Sequence, residues 1–194
     1  MPTGELAELT SIIGASDWMM RVLVTVRGAR IPEAWVGAGV VRDLVWGERY
    51  GSGFSPGEVH DVDVPFFDPD DLSSANDDQM TERLGSRWPE VPWEARNQAA
   101  VHTWYARKFG GSPPAPLVSI EDAVGTWPET ATALAVRLAS NDEIEVCAPL
   151  GVTDLLAGVW RRNPRRVSLE ESVARLARHQ PGVRWPGVTV ILPG

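Results

Sequence analysis

Two aspartates define the chemistry this chain can attempt. In Asp61-Val-Asp-Val-Pro-Phe-Phe-Asp68, residues Val62, Val64 and Phe66 alternate with Asp61, Asp63 and Pro65. The alternation predicts a strand over Val59 to Phe67, and residues two apart on a strand project from one face. Two carboxylates on one face repel each other unless a cation lies between them. Mg²⁺, or Mn²⁺ in its place, prefers oxygen ligands and usually takes one or two carboxylates together with substrate phosphates. The plain alternative is a solvated strand face. Upstream, Gly37-Ala-Gly39 follows the apolar Ala34-Trp-Val and precedes Val40-Val-Arg-Asp-Leu-Val-Trp46. A short strand, a small-residue turn and a helix start leave free backbone N–H groups at one point, where a phosphate sits with no side chain in the way. Gly37, Ala38 and Gly39 are therefore candidate phosphate-binding positions, and Arg42, in the first turn of the helix, offers two further donors. A Gly-x-Gly turn alone is weak evidence. Followed by Asp61 and Asp63, it reads as a site for a divalent metal and a nucleoside triphosphate.

Several elements must hold these residues in place. Glu5 to Ile13 has apolar residues at helical spacing, and Asp17 resembles an N-cap for a second helix over Trp18 to Val26. Val40 to Trp46 reads as a short helix ended near Gly47, followed by a loop rich in glycine and serine. Asp70 or Asp71 can cap a helix running to about Trp88. Trp93 to Arg96 reads as a strand, Ala99 to Phe109 as a helix and Gly110 to Pro116 as a loop. Ser119-Ile-Glu-Asp122 and Ser168-Leu-Glu-Glu171 have the spacing of capping boxes, the second opening an amphipathic helix to about His179 that should pack on the core. Ala131 to Leu138 and Glu143 to Ala148 predict a hairpin around Ser140-Asn-Asp142. Val152 to Trp160 reads as a helix, so the basic run Arg161-Arg-Asn-Pro-Arg-Arg166 falls at a helix C-terminus, where it favours the dipole. Val188 to Leu192 is strand-like. Helices first, then mixed strands and helices with a late hairpin, favour α+β over a regular βαβ sheet.

The order Gly-Ala-Gly-x-x-Arg-Asp-Leu-x-x-Gly from Gly37 to Gly47, followed by Asp61-Val-Asp63, is similar to the head domain of CCA-adding tRNA nucleotidyltransferases. More closely, the chain resembles a family of small bacterial nucleotidyltransferase-like proteins. Further stretches carry that resemblance: Trp93-Glu-Ala-Arg-Asn-Gln-Ala99, His102, Ser119-Ile-Glu-Asp-Ala123, Trp127-Pro-Glu-Thr-Ala-Thr132 and Glu145-Val-Cys-Ala-Pro-Leu-Gly151. The resemblance covers nearly the whole chain. It implies a polymerase-β-like nucleotidyltransferase core, a mixed sheet flanked by helices with extra helices added. It also implies that Asp61 and Asp63 bind two metals and that a third carboxylate on a neighbouring strand completes the site. Glu94 is the candidate for that role, with Glu145 as the alternative. Asn97 and His102 are candidates for contacts to base, ribose or acceptor, while Thr130 and Thr132 are possible rim hydroxyls. Where the family shows Asn-Gln-Ala-Arg-Met-His, this chain has Asn97-Gln-Ala-Ala-Val-His102, so one basic residue is lost. The implied reaction moves a nucleoside monophosphate from a triphosphate to an unknown hydroxyl acceptor. The alternative is a module that binds nucleotide without turnover.

The bulk properties narrow the partners. A chain of 194 residues is the size of one domain, expected here to span 1–194, and its hydrophobic fraction of 43% is ordinary for a globular protein. The net charge of −8 repels nucleic-acid phosphates at long range and counts against an extended nucleic-acid footprint. The single cysteine, Cys147, excludes an internal disulfide or a cysteine zinc site, and its apolar setting reads as a buried small hydrophobe. The N-terminus lacks the pattern of a signal peptide, and no apolar stretch has the length of a membrane span. A cytoplasmic protein is the expectation.

Overall fold

The computed structural model describes residues 3–110 and 114–194, so part of the loop expected over Gly110 to Pro116 lies outside the described residues. Helices α1 (Thr3–Gly14) and α2 (Asp17–Ala29) bury Leu9, Ile13, Met19, Val22, Leu23 and Val26 in the main core. The cap of α2 is Ser16 and not Asp17: its Oγ accepts the Met19 N–H at 3.3 Å, leaving Asp17 in the first turn, where its charge favours the dipole. Among the described residues no single helix is long and apolar enough to cross a membrane; α1 and α2 pass that test only as a pair bent by 94°, and their apolar faces are spent on this core.

Strand β1 (Val36–Gly37) runs straight into α3 (Ala38–Tyr50), which continues through Gly47 instead of ending there. A Cβ on residue 47 would lie 2.7 Å from the Gly53 carbonyl oxygen, and the Gly53 N–H donates to the Gly47 carbonyl at 2.9 Å. Glycine at 47 thus serves the close return of the chain and not the end of the helix. The far end of α3 is anchored by its own side chains. Trp46 Nε1 donates to the Leu155 carbonyl at 2.8 Å, and the Tyr50 hydroxyl donates to that of Leu156 at 2.6 Å.

Strand β2 (Val62–Phe66) is shorter than the alternation suggested, and Asp61 stands just before it. Helix α4 (Ser74–Gly85) is capped by Ser73, whose Oγ accepts the Asn76 N–H; Asp68 and Asp71 instead accept the N–H groups of Asp70 and Ser73 and build the turn ahead of the cap. Strand β3 (Trp93–Asn97) pairs parallel with β2, with Asp63 opposite Glu94. Helix α4 covers the other edge of β3, where Thr81 Oγ1 accepts the Ala95 N–H at 3.0 Å and Asp77 Oδ1 accepts that of Asn97 at 2.7 Å. The outer N–H groups of an edge strand are thereby satisfied.

A 3₁₀ turn over Gln98–Ala100 leads into α5 (Val101–Phe109), and α6 (Ile120–Val124) follows its Ser119 cap. The hairpin of β4 (Ala135–Leu138) and β5 (Ile144–Cys147) is antiparallel, and β1 adds to β4 to give the order β1-β4-β5. The β2-β3 pair lies beside β1: Trp35 N–H donates to the Pro65 carbonyl at 2.9 Å. Together these features form a mixed α+β core with added helices.

The largest departure comes after Val152. Helix α7 (Thr153–Leu156) is a single turn, and the chain then becomes β6 (Val159–Trp160), parallel to β7 (Thr189–Val190). Gly158 stops the helix, with φ at +64° and no room for a Cβ, which would meet the Tyr50 ring at 2.7 Å. The basic run therefore follows a strand and not a helix. Arg161 pairs with Asp154 at 2.9 Å and Arg165 with Asp122 at 3.0 Å. Helix α8 (Leu169–His179), capped by Ser168, and α9 (Pro181–Arg184) complete the fold.

Candidate functional site

The site begins with the contact between β1 and β2. A Cβ on Gly37 would come within 2.9 Å of the Asp63 Cβ, so glycine at 37 is what lets the N-terminus of α3 lie against the acidic strand. One residue further into the helix, a Cβ on Gly39 would lie 3.9 Å from Asp63 Oδ2 and 4.0 Å from Asp61 Oδ1. Gly39 therefore leaves space beside both carboxylates at the positive end of a thirteen-residue helix.

Gly39, Arg42, Asp61, Asp63 and Glu94 line one cleft of about 420 Å³. Parallel pairing in register sets Glu94 beside Asp63, and with Asp61 just ahead of β2 three carboxylates line the cleft. Asp61 and Asp63 have no hydrogen-bond or ion-pair partner among the described residues. The Asp63 carboxyl is pushed up to about 7, first by loss of water around it and then by the charges of Asp61 and Glu94. Asp61 is raised by the same causes, burial first and then Glu94. Both side chains still reach solvent in the cleft, as a substrate-accessible group must.

This is the electrostatic state a divalent cation relieves, and the residues fit one. Among the described residues no three His, Cys, Asp or Glu side chains form a ready metal cage. A pair of carboxylates with substrate oxygens filling the remaining positions is the usual arrangement for Mg²⁺. Glu94 is differently placed, because Arg96, two residues along on the same face, holds Glu94 Oε1 at 2.8 Å.

The other residues singled out in the sequence fall elsewhere or are already engaged. Arg42 faces the cleft, but two of its guanidinium nitrogens are bound to Asp43 Oδ1, at 3.0 and 2.7 Å. Asn97 is fully buried and does not line the cleft. Its amide accepts the Asp68 N–H and donates to the carbonyls of Asp68 and Asp71, fixing the turn after β2. His102 lies on α5, away from the cleft, with Nδ1 buried and without a partner. Ala38 opens α3. Glu145 lines a different cleft and pairs with Arg137 at 2.5 Å. Thr130 is bound to Asp154, while Thr132 does line the cleft. Cys147 is half-buried on β5, its thiol pushed up to about 11 by burial, which keeps it protonated and unreactive at neutral pH.

Sequence reasoning missed the side of the cleft built by α8. Arg175, Arg178 and His179 all line it, and their spacing of three and four residues places them on one helix face. Arg175 is fixed by a two-pronged pair with the buried Glu129, at 2.7 and 2.9 Å, and Glu129 also accepts from Thr132 Oγ1 at 3.1 Å. His179 packs on Trp160 with ring centres 5.4 Å apart. Burial first, then the charges of Arg42 and Arg175, pull its pKa down to about 4, so it is neutral at pH 7. The basic spacing on the last turns of α8 was the available signal.

Comparison with known proteins agrees with this architecture. None of the curated proteins matches the chain. Among solved structures, one whose description reads "the NMR structure of the protein reveals a CCA-adding enzyme head domain" is 28% identical, with a TM-score of 0.78 over 95% of both chains. A CCA-adding enzyme in complex with CTP is 14% identical with a TM-score of 0.53, covering 95% of this chain and 43% of that one, and it supports the fold alone. The head-domain resemblance read from the sequence is thereby borne out. The sequence profile of the family described as Nucleotidyltransferase matches residues 24–190, and the chain belongs to that family.

Proposed function

We propose that the protein moves a nucleoside monophosphate from a nucleoside triphosphate to a hydroxyl acceptor, with Mg²⁺ or Mn²⁺ held by Asp61 and Asp63. The observation that carries this reading is the pair of carboxylates without partners, raised in pKa and set against the N-terminus of α3. The bound cations would supply charge neutralisation at the phosphates and a lowered pKa for the attacking hydroxyl. The chain's own part is positioning. Backbone N–H groups at Gly37, Ala38 and Gly39 receive a phosphate, and Arg42, which lines the same cleft, adds positive charge beside it. A triphosphate of the kind bound in the CTP complex of the CCA-adding enzyme is the donor class this reading assigns.

A second reading is favoured by one observation. Glu94, the candidate third carboxylate, is tied to Arg96, which suits a module that binds nucleotide without turnover. Thermal shift with each nucleoside triphosphate, with and without Mg²⁺, tests binding, and pyrophosphate release separates the two readings. A Mg²⁺-dependent shift with release of pyrophosphate supports transfer. A shift without release for any hydroxyl acceptor supports the binding module, and no shift with any nucleotide overturns both.

A further inference from the structure

Four arginines line the cleft, and their pairings differ. Arg42 is bound to Asp43, Arg96 to Glu94 and Asp77, and Arg175 to Glu129. Arg178 has no hydrogen-bond or ion-pair partner among the described residues. One turn earlier on the same face, Arg175 pins α8 to the buried Glu129, and one residue later His179 packs on Trp160. An arginine in the last turn of a helix favours the dipole wherever it points. Arg178 lines the cleft in which the Asp61 and Asp63 carboxylates are also without partners among the described residues.

We propose that Arg178 is a binding residue for the terminal phosphates of the nucleoside triphosphate, with α8 as the cationic side of a site whose metal side is Asp61 and Asp63. This rests on the functional reading above and deepens it by assigning the phosphate tail. Three of the four cleft arginines already have carboxylates, so an incoming polyphosphate gains most from the one whose five donors are unspent. The paired Arg175 holds the helix and adds charge without having to change partners. On this assignment a nucleoside monophosphate lacks the terminal phosphates that Arg178 would bind, so the contact would discriminate triphosphate from monophosphate.

The test is calorimetric titration of the full chain in Mg²⁺ with the four common nucleoside triphosphates, the matching monophosphates and inorganic tripolyphosphate. Arg178→Ala is expected to weaken triphosphate binding by roughly 10- to 100-fold, the loss of one charge-assisted contact, and to leave monophosphate binding unchanged. Arg178→Lys should fall between. The side chain is exposed, so an unchanged melting temperature is expected and serves as the folding control. Triphosphate binding equal in Arg178→Ala and wild type overturns the assignment of Arg178 and leaves the functional reading standing. Binding of tripolyphosphate but of no nucleotide, lost in Arg178→Ala, keeps the anion site and overturns the nucleotide reading. No binding of either to the wild type overturns both.

Discussion

The two sides of the cleft are built by different means. The acidic side is local: Asp63 and Glu94 face each other on adjacent parallel strands, and Asp61 stands just before the first of them. Two of these three have no partner, and their mutual repulsion is held in place by the surrounding sheet. The basic side is remote: Arg175, Arg178 and His179 come from a helix more than a hundred residues after Asp63 in the chain, and its position depends on the buried Glu129. One side stores unfavourable charge for a ligand to relieve. The other is largely neutralised and contributes structure as well as charge.

If that contrast is right, substitutions on the acidic side should damage chemistry and spare stability, while those supporting the basic side should do the reverse. The largest effect is expected for Asp63→Asn. Triphosphate turnover, followed by pyrophosphate release, should fall by roughly a thousandfold, since a bound metal supplies several kcal/mol of charge stabilisation. Its fold should survive. Glu129→Ala comes next. It leaves Arg175 half-buried without its partner, and urea unfolding should show a loss of about 3 kcal/mol with little change in slope. A loss below about 1 kcal/mol would mean that α8 is held by its apolar contacts and not by this pair. Gly37→Ala should cost about 2 kcal/mol, because its Cβ would meet Asp63 Cβ at 2.9 Å and a packed contact must open. It is the one substitution expected to lower both turnover and stability, since the displaced group is Asp63 itself.

The same contrast explains what the sequence made legible. Strand period two exposed Asp61 and Asp63 as a pair, because local pattern acts over short distances, while Glu94 came forward only through the family resemblance, which implies a third carboxylate on a neighbouring strand. Gly37 stood out as a turn residue, although its role in the structure is the close approach to Asp63. Capping was legible where serine led the helix, at Ser119 and Ser168, and misplaced by a few residues where aspartates lay nearby, at Asp17 and at Asp70 and Asp71. The helix over Val152 to Trp160 failed because apolar residues in a short run fit either period, and Gly158 against Tyr50 is a tertiary contact with no local mark. Asn97 and His102 were drawn toward the site by their place in a motif. Asn97 instead fixes the turn after β2, a role visible only once Asp68 and Asp71 come beside it. The α8 side of the cleft was legible as a helix and as basic, but not as part of the site, because that depends on which face Glu129 captures.

The smallest effect is the most discriminating, because the two sides respond to pH in opposite directions. Asp63 has a folded pKa of about 7 against an ordinary 3.8. Between these values the folded state keeps a proton the unfolded chain has released, so its contribution to stability falls as pH rises through that window. His179 has a folded pKa of about 4 against 6.5. There the unfolded chain binds the proton first, so stability falls as pH drops from 6.5 toward 4. In a chelating buffer the two slopes oppose each other, and the wild type should show a shallow profile between pH 4 and 6.5. Asp63→Asn removes one slope: it should melt above the wild type at pH 8, with the advantage shrinking toward pH 4. His179→Phe removes the other and should flatten the acid side while leaving the alkaline side alone. If both variants track the wild-type curve in parallel, neither group carries the strain assigned to it. If Mg²⁺ then raises the wild-type melting temperature at pH 8 and not at pH 5, while Asp63→Asn shows no such gain, the alkaline strain and the metal preference belong to the same carboxylate.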